Sequence, residues 1–225
     1  MKTIALLCML VDHIGLMFFP QHILWRMIGR LAMPIFAFGI ARGAYYTSSM
    51  PQYIKKMLFF ALISQLPYWW VETLALGELF PSLNFNVGFT FLGALLILAQ
   101  VQKSQKEMRN LHMVEILMII FILLLSDLLG FDYGSYGILL VLMCYFIRVK
   151  AMGRETILPL MLGYTFLTYF LYLGHIEGFI LQEIGVLGFI VVKQFENISE
   201  KKIGGLFYVF YPVHLLILCL IKWLM

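Results

Sequence analysis

Charge is what this sequence has least of. Lys, Arg, Asp and Glu make up 12% of its 225 residues, while hydrophobic residues make up 62%. Soluble globular domains usually carry about twice that charged fraction. With a mean hydropathy of +0.92, the chain would aggregate in water, so lipid must be the solvent for much of its surface. Cysteine is scarce as well. Cys8, Cys144 and Cys219 fall in apolar segments without paired spacing, which excludes a disulfide framework and a cysteine metal cluster and leaves them as packing residues. Basic runs are also missing. The net charge of +4 is dispersed over short loops, which argues against a nucleic-acid partner. No small-residue cleavage site follows the first apolar run, so that run is expected to be a retained helix.

What the chain does have is a succession of apolar segments. A membrane-spanning helix needs roughly 20 mostly apolar residues. Segments near that length fall at 3–19, 24–48, 56–76, 86–101, 112–129, 135–149, 156–174, 178–194 and 204–224. The expected fold is therefore all-α, a polytopic transmembrane bundle of about nine spans in one domain, 1–225. Every second connection is basic: Lys2 before the first span, then Lys55 and Lys56, then Lys103, Lys106 and Arg109. Arg148, Lys150 and Arg154 follow, then Lys193, Lys201 and Lys202, whereas the connections around Gln21, Glu78, Asp132 and Glu177 carry no Lys or Arg. The positive-inside rule then makes the N-terminus and the basic loops cytoplasmic.

Ionisable groups inside spans are costly and mark a site or a buried partner. The first span places Asp12 and His13 mid-membrane, the second carries Arg26 and Arg30, and the ninth holds Tyr211, Pro212 and His214. His13 and His214 lie about equally deep, roughly 15 Å into spans of the same direction, and Arg30 lies about 9 Å from the outer end of its own. These groups can therefore meet near the midplane. Asp12 can pair with Arg26 or with Arg30. Asp12 cannot easily orient His13, because sequence neighbours on a helix point about 100° apart. Gln65, Asn84, Asn86 and Thr90, with Asp132 at the outer start of the sixth span, are expected to line an outward-facing cavity or to join helices.

Asp12-His13-Ile14-Gly15, Gly29-Arg30 with Pro34 to Phe38, and Ser64-Gln65-Leu66-Pro67 recur in the order of a known family. So do Asn86 with Phe89-Thr90 and Gly93, Asp132-Tyr133-Gly134 with Gly137, and Tyr208 to Leu215. On these motifs, which cover nearly the whole chain, it resembles the TraX family, named for the inner-membrane F-pilin N-acetylase of conjugative plasmids. One departure stands before the last span, where Phe195 to Gly204 replaces an expected Asn-Gly turn. The resemblance implies a bacterial inner-membrane enzyme that takes an acetyl group from cytosolic acetyl-CoA and passes it, without a metal, to an amine of a peptide or other membrane-associated acceptor, the acceptor being a peptide, lipid or glycan.

On that reading His13 is the base, Arg30 the electrostatic stabiliser and Asp12 the organiser, with His214 and Tyr211 completing the catalytic set. Arg42, Lys55 and Lys56 would hold the CoA phosphates. Arg26, Gln65 and Asn86 would contact the acceptor. Two other readings stay open on the residues alone: O-acetylation of a surface glycan or lipid, and proton-coupled transport or export. Against transport, the sequence lacks paired broken helices in two related halves.

Overall fold

The computed structural model describes residues 2–76, 84–172, 184–185, 188 and 204–225. The expected eighth span apart from 184–185 and 188, the connections around Glu78 and Glu177, and the Phe195–Ile203 departure with its lysines lie outside the described residues. Elsewhere the chain is all helix, apart from one isolated parallel bridge between Phe85 and Phe131.

The helices are α1 (Lys2–Phe18), α2 (Ile23–Arg30), α3 (Ala32–Tyr46), α4 (Met50–Leu76), α5 (Val87–Lys106), α6 (Met113–Leu128), α7 (Gly134–Arg148), α8 (Ile157–Tyr172) and α9 (Gly204–Leu224). Ile23–Tyr46, Val87–Lys106 and Phe207–Leu224 are long and apolar enough to cross a membrane; Thr3–Phe18 and Gly134–Arg148 are shorter apolar helices.

Two local features depart from the segments read from hydropathy. The second segment is broken at Leu31 into α2 and α3. Pro34 has no N–H to give the Arg30 carbonyl, and it sits in the first turn of α3, where a proline is tolerated. The Leu31 amide instead reaches the Ile28 carbonyl at 3.2 Å, tightening the last turn of α2. The third segment starts earlier than its apolar run, at Met50, because the chain supplies a helix start there. Thr47 Oγ1 accepts from the Ser49 amide, Ser49 Oγ from the Gln52 amide, and Pro51 stands in the first turn. Polar Gln52 and Lys55 hid this extra turn and a half from a hydropathy window.

Close helix contacts place the site. α1 packs on α2, α3 and α9; α9 also packs on α4; α5 packs between α4 and α7. Glycine makes the α1–α2 approach possible. A Cβ at Gly15 would stand 2.2 Å from Cβ of Trp25, and one at Gly29 2.2 Å from Oδ1 of Asp12. The Asp12 carboxyl therefore lies directly on the α2 backbone. Around Phe91, Leu95, Ile138 and Leu140 the α5–α7 core is fully buried. On α6, by contrast, Val114, Leu117, Phe121 and Leu124 are all exposed, an apolar face suited to lipid.

Candidate active site

α1 and α9 bring two histidines together in the interior. His13 and His214 are both buried, and His13 Nδ1 is 3.1 Å from His214 Nε2. Each ring also turns its Nδ1 back onto its own helix. His13 Nδ1 lies 2.8 Å from the Met9 carbonyl, and His214 Nδ1 lies 2.8 Å from the Phe210 carbonyl.

Carbonyl oxygens only accept, so in the neutral pair both Nδ1 atoms carry the proton. His214 Nε2 is then a lone-pair acceptor, and the His13 Nδ1–H is shared between it and Met9. The consequence is chemical: Nε2 of His13 is left as the uncommitted basic nitrogen. If that atom takes a proton, the positive ring is held by the Met9 carbonyl and by His214 Nε2. His214 thus orients His13 much as an acidic partner would.

His13 lines a small cavity of about 40 Å³ with Asp12, Phe36, Asp132, Tyr133 and Tyr211, among others. The Tyr211 side chain is fully buried, 6.1 Å from His13 between ring centroids, and its hydroxyl has no hydrogen-bond partner among the described residues. Arg26 donates to Asp12 Oδ2 at 2.8 Å, which settles the open choice of partner in favour of Arg26 over Arg30. Oδ1 of Asp12 is left without a partner. The Arg30 guanidinium instead lies over the Tyr133 ring at 5.0 Å, and its Nε is also unpartnered. Tyr133 takes that position through a left-handed backbone (φ 66°) at the start of α7.

A second, larger cavity of about 400 Å³ opens between the C-terminal end of α3, the start of α4 and the start of α9. Its mouth is polar, with Tyr46, Ser49, Gln52 and Lys56, and its inner wall includes Phe36 and Phe207. Phe36 lines both cavities, so the larger space and the His13 cavity share a wall residue. Arg42 and Lys55 do not line this cavity, although Lys56 does.

Gln65 and Asn86 sit elsewhere, in a closed network. Gln65 Nε2 donates to the Asn84 carbonyl at 2.8 Å, and Gln65 Oε1 accepts from the Asn86 amide and from Asn86 Nδ2. Asn86 also reaches the Ala61 carbonyl and caps α5 by accepting from the Gly88 amide. Every polar group of these two side chains is engaged in fixing α4 to α5, and neither lines the His13 cavity.

The site thus gathers His13, His214, Asp12, Arg26, Arg30 and Tyr211 from α1, α2 and α9, and adds two residues from the α6–α7 connection. The sequence points to Asp132-Tyr133-Gly134 as a motif at an outer cavity, and not to a place beside His13. Among the described residues, no group of three or more His, Cys, Asp or Glu is arranged to hold a metal ion.

The family model described as TraX protein matches residues 1–222. The chain belongs to the TraX family. A relative of this TraX chain, the probable fimbrial assembly protein FimC (serogroup H1) of Dichelobacter nodosus, is 28% identical over 240 residues, covering 99% of this chain and 94% of that protein. An uncharacterized protein of Rickettsia prowazekii (strain Madrid E) is 50% identical over 38 residues, 17% of this chain and 15% of its own length. No solved structure matches this TraX protein.

Proposed function

We propose that the protein is a multi-pass acetyltransferase of the bacterial inner membrane, moving an acetyl group from cytosolic acetyl-CoA to an amine of a membrane-associated acceptor. The single observation that carries this reading is the pair of cavities sharing Phe36, one with Lys56 at its mouth and the other lined by His13. In this topology the chain is one domain, 1–225, of nine spans with a cytoplasmic N-terminus. The large cavity then opens to the cytosol, since its mouth includes Lys56. A pantetheine arm entering there would bring the thioester carbonyl to the Phe36 ring. Lys56 would meet phosphate oxygens at the entrance.

In the proposed reaction the acceptor nitrogen attacks the thioester carbonyl. Nε2 of His13 takes the proton released as the C–N bond forms. The unpartnered Tyr211 hydroxyl and the Arg30 guanidinium are donors available to the tetrahedral oxyanion. When the C–S bond breaks, the His13 imidazolium returns its proton to the departing thiolate, giving CoA and the amide. Asp12, clamped by Arg26 against the Gly29 backbone, fixes α2 and hence Arg30. The fimbrial-assembly name of the Dichelobacter nodosus relative makes an exported peptide the first acceptor class to try.

The test is isothermal titration of acetyl-CoA into the detergent-purified protein. Saturable binding that survives His13→Ala is the expected result, because the base is not needed to hold the donor. Absence of binding by folded, monodisperse protein would reject the reading and bring proton-coupled transport forward.

A further inference from the structure

Three carboxylates and two guanidiniums share one electrostatic neighbourhood, Asp12, Asp132 and Glu72 against Arg26 and Arg30, and of these Asp12 and Asp132 line the inner cavity. Of the three, Asp12 is paired with Arg26, and Glu72 accepts from Tyr68 and Asn84. Asp132 is different. Its backbone is pinned, the amide donating to the Phe85 carbonyl at 2.7 Å and its own carbonyl accepting from Thr90 Oγ1. Asp132 lines the same cavity as His13, and its carboxylate makes no hydrogen bond among the described residues.

We propose that Asp132 is the ammonium anchor and first proton acceptor of the site, so that an amine acceptor is received as its ammonium ion. This rests on the acetyltransferase reading and deepens it. A hydroxyl acceptor sheds one proton during acyl transfer, and His13 Nε2 alone can take it. An ammonium must shed two. The first proton passes to the Asp132 carboxylate, leaving a neutral amine; the second passes to His13 Nε2 as the amide forms and returns to the CoA thiolate. Asp132 later releases its proton to solvent. Asp132 and His13 together supply the two proton acceptors that an ammonium substrate requires.

The surroundings are consistent with a cation. Besides the five charged groups, Tyr68 from α4, Tyr211 from α9 and Tyr133 beside it face Asp132. With both histidines neutral, three carboxylates against two guanidiniums leave one negative charge. Burial pushes the Asp132 carboxyl, in the α6–α7 connection, up to about 6, with Arg30 opposing. That lies within about two pH units of an α-amino group, against about four for an ordinary carboxylate.

The experiment uses the full chain in liposomes with labelled acetyl-CoA and two small probes, alanine amide and its hydroxyl counterpart lactamide. Transfer to alanine amide should exceed transfer to lactamide by about tenfold or more. At about pH 6.5, Asp132→Asn should lose a similar factor with alanine amide and recover as the pH rises through the amine's own pKa, near 8. With 2,2,2-trifluoroethylamine, a weak base that arrives largely uncharged, the deficit should narrow sharply. Asp132→Glu, which keeps a carboxylate, should retain the wild-type pH profile and guards against a folding defect.

Equal use of lactamide, or an Asp132→Asn loss that is the same at every pH and for both amines, overturns the proposal. So does saturable acetyl-CoA binding with no amine-dependent release of CoA, which leaves the donor reading standing. Failure of wild-type protein to bind acetyl-CoA takes down both.

Discussion

The interior contains two polar networks, and they differ in how completely their atoms are paired. The Gln65–Asn84–Asn86 network between α4 and α5 is closed, each amide group of Gln65 and Asn86 having a partner in the protein. The network of α1, α2 and α9 leaves Asp12 Oδ1, Arg30 Nε and the Tyr211 hydroxyl buried without partners, and Asp132 open to a cavity. Leaving a buried polar group unpaired costs about 1–3 kcal/mol. A purely structural network has no reason to carry that cost several times over, whereas a substrate site has one. Ser64, next to Gln65, also keeps an unpartnered hydroxyl, but it is uncharged and lines neither cavity.

The comparison is broken most directly at its two centres. His13→Ala should lower acetyl transfer by about a hundredfold or more, the usual worth of a positioned base, while the protein stays folded. Asn86→Ala should do the opposite. It removes the α5 cap and the side-chain bonds to Gln65 Oε1 and the Ala61 carbonyl, leaving only the Asn86 backbone amide on Gln65, at a cost of about 1–2 kcal/mol of stability. The activity of whatever remains folded should change little. Thermal unfolding and turnover per folded molecule separate the two variants. An Asn86→Ala protein with unchanged unfolding and lost turnover would show that pairing does not distinguish a joint from a site.

A smaller effect sharpens the histidine pair. His214→Leu should leave His13 present but free to rotate or change tautomer, lowering turnover by about tenfold with little change in acetyl-CoA affinity. His214→Gln, whose amide oxygen can still accept from His13 Nδ1, should recover part of that loss. Equal losses in the two variants would assign His214 to packing alone.

Much of this arrangement is legible in the sequence, for identifiable reasons. Apolar length alone marks all the described helices, and depth counted along α1 and α9 is enough to set His13 level with His214. The choice between Arg26 and Arg30 is not legible, because both share one helix face and only the packing of α1 on α2 shows which reaches Asp12. Gln65 and Asn86 look like ligands in sequence, since composition does not reveal whether an amide is already engaged. Asp132 and Tyr133 sit in a short connection, where hydropathy carries no orientation, and the left-handed Tyr133 backbone is what turns that ring under Arg30.

Lys55 and Lys56 show the same limit and give the finest test. As helix neighbours they point about 100° apart, so one cavity wall takes one of them, and sequence does not say which. Lys56 lines the large cavity and Lys55 does not. Both are exposed, so each charge is worth at most about 1 kcal/mol. Lys56→Ala should therefore weaken acetyl-CoA binding by only about two- to fivefold, and added salt should shrink the difference from wild type. Lys55→Ala should bind as the wild type does. If Lys55→Ala weakens binding and Lys56→Ala does not, the donor enters by another face of α4, and the route past Phe36 to His13 is wrong.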